Sequence, residues 1–256
     1  MNPKDDQTAP WLRDAITVDV VVRLDDEVTF DARNVARIRY RGINVKEAFT
    51  VRDAVGRFYR ASLRFCEGDI ATALAYEAME ADPESPVAIT LFNAVPQRQR
   101  MLWVTQKASE LGVFAIQPVF TVRSVQADGL AHEKAHAWPG QAIKGARQCR
   151  RSIVPEVMRP LSLAEALTTP AWTGASLRVV IDDRAEPAAT GSTEAPTSIA
   201  LVVGPEGGFN AQEREMLRAA GAAMWRLGGR VMRAETASIA GLAVLQHRFG
   251  DLTIAD

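Results

Sequence analysis

Ile199-Ala200-Leu201-Val202-Val203-Gly204-Pro205-Glu206-Gly207-Gly208-Phe209 is the stretch on which the reading of this chain turns. Five apolar, mostly β-branched residues make a strand of the fully buried kind, and the glycines that follow it open a turn. Asn210, with Glu213 three residues on, then starts a helix by a capping box, and Gly221 closes it. A second glycine-bearing turn, Leu227-Gly228-Gly229-Arg230-Val231-Met232-Arg233-Ala234-Glu235-Thr236-Ala237, follows a short strand at Met224–Leu227 and leads into an apolar helix at Ala234–Phe249. Strand, glycine turn, helix is the arrangement in which parallel α/β sheets bind ligands beyond the carboxyl ends of their strands. Neither loop carries the Lys-Ser/Thr of a phosphate-binding P-loop or the dinucleotide spacing, so nucleoside triphosphate and nicotinamide readings lack their key residues.

Working outward, the same alternation of strand and helix extends back to Val87. Val87–Val95 reads as a strand, Pro96 to Leu111 as a helix stopped by Gly112, and Val113–Phe120 as a strand. Helices follow at Gln141–Arg151 and Ser162–Leu167, then a strand at Leu177–Asp182, and 185–198 reads as a surface insertion. Such alternation predicts a parallel sheet with helices on both faces. Ahead of it, Ala81-Asp82-Pro83-Glu84-Ser85-Pro86 reads as a linker. The first eighty residues read as a small all-β unit with strands at Val18–Val22, Phe58–Phe65 and Thr72–Met79. The expected division is therefore 1–82 and 83–256.

Composition is that of a folded globular chain of 256 residues, with 47% apolar and 24% charged residues and a net charge of -1. No apolar run reaches the length of a membrane span, and the N-terminus does not read as a secretory signal, so the expected compartment is the cytoplasm. Cys66 and Cys149 stand alone without ligand spacing, which argues against a disulfide framework and against a metal site. Charge is uneven along the chain: between Asp31 and Phe65 nine bases face three acids, while Cys66 to Glu84 holds six acids and no base. This basic stretch reads either as a phosphate-binding surface or as a solvated strand face with alternating arginines. His132 and His136 fall in a polar connection and read as surface residues.

Taken together, the two glycine loops resemble those of the RsmE family of 16S ribosomal RNA uridine-N(3) methyltransferases, members of the SPOUT superfamily. Its paired signatures stand here at 204–208 and 227–237, with further matches at 106–113, Pro118, 121–124, 148–155 and 246–252. The resemblance implies a SPOUT-type, trefoil-knotted parallel sheet preceded by a small PUA-like β-barrel that helps to grip RNA. It also implies a homodimer, a bent S-adenosylmethionine as cofactor, and 16S ribosomal RNA of the small subunit as substrate, with no metal and no membrane. By motif, the cofactor residues are Gly204, Pro205, Glu206, Gly207, Gly208, Leu227, Gly228, Val231, Met232 and Arg233. Arg233 is also the implied catalytic residue, its cation favouring the uridine anion; the alternative is an ion pair with Glu235 or Glu206 that holds the loops. Glu206 reads as a loop and helix-start carboxylate rather than a general base, and no base is named. Arg37, Arg39 and Arg41, with Arg123 and Arg151 in the matched segments, are the expected RNA contacts.

Three departures from the family pattern stand out. Val35 occupies the place of a usual histidine, Arg147 and Arg150 stand where Glu and Gly are usual, and Gly229 where Pro is frequent. The alternatives left open are a SPOUT enzyme acting on another RNA site and a catalytically inactive RNA-binding relative.

Overall fold

The computed structural model describes residues 9–185 and 195–253. The chain divides into two compact units, one formed by Met1–Glu84 with Ala146–Val154, the other by Ser85–Gly145 with Pro155–Asp256.

In the first unit, strands β1 (Ile16–Thr17), β2 (Glu27–Phe30), β3 (Ala48–Arg52), β4 (Phe58–Glu67) and β5 (Ile70–Ala78) form a curled five-stranded sheet of order β1-β3-β4-β5-β2. The β1–β3 pair is parallel and the other pairs are antiparallel. Its core gathers Phe30, Val35, Ile38, Phe49 and Leu63, with Phe30 and Phe49 tilted against each other at 5.7 Å between centroids.

The unit is not all-β. Helix α1 (Ala32–Tyr40) lies where alternating arginines suggested a strand face. Asp31 caps it, its carboxylate accepting the Asn34 N–H at 2.9 Å, and Asn34, Val35, Arg37 and Ile38 form the buried side at helical spacing. The strand expected at Val18–Val22 is also absent: Val20 and Val21 are exposed, and Val22 is tied by its N–H to the Asp53 carboxylate. The four valines have high β-propensity but only isolated backbone bonds, the Val18 N–H to the Arg52 carbonyl and the Ala54 N–H to the Val20 carbonyl, beyond the short β1.

In the second unit the alternation holds. β6 (Ala88–Ala94), β7 (Ala115–Phe120), β8 (Glu156–Val157), β9 (Leu161–Ser162), β10 (Leu177–Ile181), β11 (Ser198–Val203) and β12 (Ala223–Trp225) form a sheet of order β12-β10-β11-β6-β7-β8, β9 pairing with β7. Every pair is parallel. Along β11, Ile199, Leu201 and Val203 join one core and Ala200 and Val202 the other, which is the two-period of a strand buried on both faces. The first core is covered by α2 (Arg100–Glu110) and α7 (Ala234–Phe249), with α3 (Trp138–Gln148) contributing Trp138. The second is covered by α4 (Leu163–Ala166), α5 (Pro170–Thr173) and α6 (Ala211–Ala219), through Leu163, Trp172 and Leu217. This is the SPOUT-type sheet with helices on both faces, preceded by a PUA-like unit.

Helix starts follow their caps. The Asn210–Glu213 capping box is closed in both directions, at 2.8 and 2.9 Å. The α2 helix begins at Arg100 rather than at Pro96, because Arg98 and Gln99 take left-handed φ values of 61° and 57° and give their N–H groups to the Glu133 carboxylate. Most of the insertion expected at 185–198 lies outside the described residues, as 186–194 are not among them. Among the described residues no helix is long and apolar enough to cross a membrane.

Candidate functional site

The sheet order places β12, β10 and β11 side by side, so their carboxyl-end loops meet. Between them lies a cavity of ≈ 200 Å³. Gly204 to Gly208 after β11 and Leu227, Gly228, Val231 and Met232 after β12 all line it. Arg233 does not: it is exposed at the N-cap of α7, between the lining residues Met232 and Ala234.

Two sets of lining residues escaped the sequence reading. The loop after β10 brings Ile181, Asp183 and Arg184, and the second glycine loop adds the exposed Arg226, Gly229 and Arg230. The β10 loop has no glycine signature to announce it. It is positioned from a distance, by Arg214 on α6 bonding the Asp182 carboxylate at 2.5 Å and by the Asp182 N–H bonding the Trp225 carbonyl at 3.0 Å.

Backbone geometry explains the glycines. Gly228 has φ +66°, a conformation that favours glycine, and a Cβ there would meet no atom within 4 Å, so the loop presents bare main chain to open space. At Gly207 a Cβ would fall 2.9 Å from Cδ of Arg123. Arg123 bonds the Gly207 carbonyl at 2.7 Å, so this expected RNA contact, though exposed, is engaged in supporting the loop.

The ion pairs considered for Arg233 are made by another residue. Arg100, at the start of α2, reaches Glu206 at 2.7 Å and Glu235 at 3.4 Å, and so joins the two glycine loops. The Gln97 N–H adds a bond to Glu206 at 3.1 Å. Nothing local in the sequence marks Arg100 for this, because its partners lie 106 and 135 positions away. Arg226, Arg230 and Arg233 make no ion pair among the described residues.

In the first unit the expected RNA contacts divide. Arg37 is buried and bonds the Trp11 carbonyl at 3.1 Å, Asn34 at 3.0 Å and Asp14 at 3.5 Å. Arg41 is buried and donates to the Arg13 and Asp14 carbonyls at 3.2 and 2.5 Å; burial, then the neighbouring Arg37 cation, bring its pKa down to about 10. Burial likewise lowers the pKa of Arg37, with Asp14 opposing. Arg151 is buried against Glu84 at 2.7 Å. Only Arg39 is exposed, and it bonds the Gly68 carbonyl. Within the basic stretch Arg37, Arg41 and Arg60 are thus buried structural donors, while Arg33, Arg39, Lys46, Arg52, Arg57 and Arg64 remain exposed.

The departures are absorbed locally. Val35 packs in the core, Arg147 bonds Glu47 at 2.8 Å, and Arg150 sits at φ +66°, the kind of backbone for which glycine is suited, while bonding Glu77 at 2.8 Å. Gly229 lies exposed in the cavity lining. Both cysteines are free thiols, and among the described residues no His, Cys, Asp and Glu cluster could hold a metal.

A parallel sheet whose glycine loops converge on one cavity places the chain among α/β transferases that hold a cofactor by main chain. A family model described as an RNA methyltransferase domain matches residues 83–246. The chain is 32% identical over 177 residues to ribosomal RNA small subunit methyltransferase E of Buchnera aphidicola from Schizaphis graminum, covering 66% of this chain and 69% of that one. It is 29% identical over 230 residues to the enzyme of the same name from Mycobacterium tuberculosis, covering 88% and 86%. It also resembles the crystal structure of ribosomal RNA small subunit methyltransferase E from Neisseria gonorrhoeae bound to S-adenosyl methionine. There the TM-score is 0.65 at 30% identity, over 93% of this chain and 98% of that one. The chain belongs to the RNA methyltransferases, and within them to the family of small-subunit ribosomal RNA methyltransferase E, or RsmE.

The residues present fit S-adenosylmethionine. Bare main chain at the glycines supplies donors and acceptors, Ile181, Leu227, Val231 and Met232 offer apolar contact to an adenine ring, and the lining includes both an acid, Asp183, and the bases Arg184, Arg226 and Arg230 for its opposite charges.

Proposed function

We propose that this chain methylates N(3) of a uridine in 16S ribosomal RNA of the small subunit, with S-adenosylmethionine as methyl donor. The observation that carries this reading is the convergence of two glycine loops, from strands flanking β10, on one cavity rimmed by exposed arginines that make no ion pair among the described residues.

When bound, S-adenosylmethionine supplies an electrophilic methyl group on a sulfonium. The chain's own residues position and polarise. The loops at 204–208 and 227–232 hold the cofactor, Arg100 keeps them in register, and Arg233 favours the uridine anion as the N(3) proton departs. With Glu206 and Glu235 held by Arg100, the Arg233 guanidinium is left for the substrate. Exposed Arg226 and Arg230 suit approaching phosphates, and the first unit, expected as 1–82, serves as an RNA-gripping domain beside the catalytic 83–256.

The same reading includes the trefoil knot, a homodimer and a place in the cytoplasm, where the ribosomal substrate lies. Half-exposed Trp103 on α2 and Val244 on α7 are apolar surface of the kind a second copy covers. Mass mapping of 16S ribosomal RNA from cells lacking the protein tests the function. One uridine should lose a base methyl and regain it on complementation; an unchanged modification map would refute the reading.

A further inference from the structure

The first unit buries more positive charge than it neutralises. Arg41 and Arg60 are 4% and 7% exposed, and both line one small cavity together with Arg147 and Arg151. Arg147 has Glu47 and Arg151 has Glu84, at 2.8 and 2.7 Å. Among the described residues no ion pair reaches Arg41 or Arg60.

Their hydrogen bonds go to neutral oxygens. Arg41 donates to two main-chain carbonyls, and Arg60 to the Thr50 hydroxyl at 2.8 Å, which itself donates to the Arg150 carbonyl at 2.7 Å. The Nε atoms of both arginines are buried with no acceptor. An unpaired buried guanidinium is costly, because its charge and its donors both lose water. Glu84 cannot be shared: Arg151, the Ser152 N–H and hydroxyl, and the Ile153 N–H already occupy its two oxygens. Glu47 is engaged by Arg147 and the Asn44 N–H, and Asp14 by Arg37.

The geometry points to a structural binding site for one small monovalent anion, of which chloride is the abundant form, between Arg41 and Arg60 in the first unit. Size excludes polyatomic ligands. The cavity is ≈ 10 Å³, about the least that admits a single water, so phosphate, sulfate and carboxylate ligands do not fit, and a chloride, somewhat larger than a water, enters with a small outward movement of the side chains that line it. Charge separates chloride from water, since only the anion offsets two buried cations while accepting from both Nε–H groups. The low pKa of Arg41 agrees with a cation in deficit of counter-charge.

Two measurements on the full chain test this. Crystals grown with sodium bromide should show an anomalous difference peak between Arg41 and Arg60; its absence there overturns the proposal, leaving at most a water. In solution, melting in sodium chloride should exceed melting in sodium gluconate of equal ionic strength by about 2–4 °C once chloride stands several-fold above its dissociation constant. Equal melting in the two salts overturns it too. In Arg60→Met the chloride effect should vanish, and a chloride effect that survives there would also count against the site; the bromide experiment on the unaltered chain stands if that variant does not fold.

Discussion

Arg37 and Arg41 in the first unit and Arg226, Arg230 and Arg233 around the glycine loops are the same residue in opposite conditions. The first two are buried, bonded to carbonyls and side chains of their own unit, and lowered in pKa by desolvation. The other three are exposed and make no ion pair among the described residues. A count of charges along the chain marks 31–65 as the basic region, yet Arg37, Arg41 and Arg60 are buried there, so within it only Arg33, Arg39, Lys46, Arg52, Arg57 and Arg64 join the exposed arginines around the glycine loops in being able to meet an anionic polymer. Cationic surface is a property of exposure, and exposure is decided by which face of an element is needed for packing.

The contrast is most open to attack at Arg233. Arg233→Ala should lower the single-turnover methylation rate about a hundredfold or more, and Arg233→Lys less, with melting temperature and S-adenosylmethionine affinity near normal in both. A joint fall in affinity and stability would make it a loop-holding residue instead. Next in size is Arg37→Met, which removes the buried charged donor from the Trp11 carbonyl and Asn34 Oδ1, leaving them the Asp14 and Thr17 N–H groups. It should cost about 1–3 kcal/mol in denaturant unfolding, while leaving the salt dependence of RNA binding unchanged. Arg226→Gln with Arg230→Gln should do the reverse: stability holds, and the log–log salt slope of RNA binding becomes shallower by roughly one for each phosphate contact removed. An unaltered slope would move the RNA path away from the cavity rim. The smallest effect is expected at Arg150→Gly. Relief of the left-handed φ outweighs loss of an exposed ion pair with Glu77, and unfolding should show a gain of about 0.5–1 kcal/mol.

Legibility in the sequence differed between the units for a physical reason. In the second unit the central strands β6, β7 and β11 are buried on both faces, and helices α2 and α6 stop at a glycine, so local pattern and tertiary role agree; Gly112 and Gly221 take φ +72° and +81° where helix stops were expected. In the first unit they conflict. Arg37, Arg39 and Arg41 have the spacing of a strand, but burial follows Asn34, Val35, Arg37 and Ile38, and Arg37 enters the core side only because Trp11 and Asp14 receive it. Those partners lie 26 and 23 positions away. The cavity was legible through its glycines, whereas the β10 loop and Arg100 were not, since long-range ion pairs leave no periodic trace.

One feature of the first unit bears on how the chain is made. Glu84 ends the N-terminal stretch of that unit, and the donors to its carboxylate come from Arg151, Ser152 and Ile153. A nascent chain that has just emerged to residue 84 holds the whole curled sheet but not the segment 146–154 that completes it. The first unit therefore waits, unfinished, while about sixty more residues of its neighbour are translated, and Arg41 and Arg60, whose cavity the later segment helps to line, stay hydrated until then. Folding in order of synthesis, the usual habit of domains, is interrupted here by a debt owed to a later part of the message.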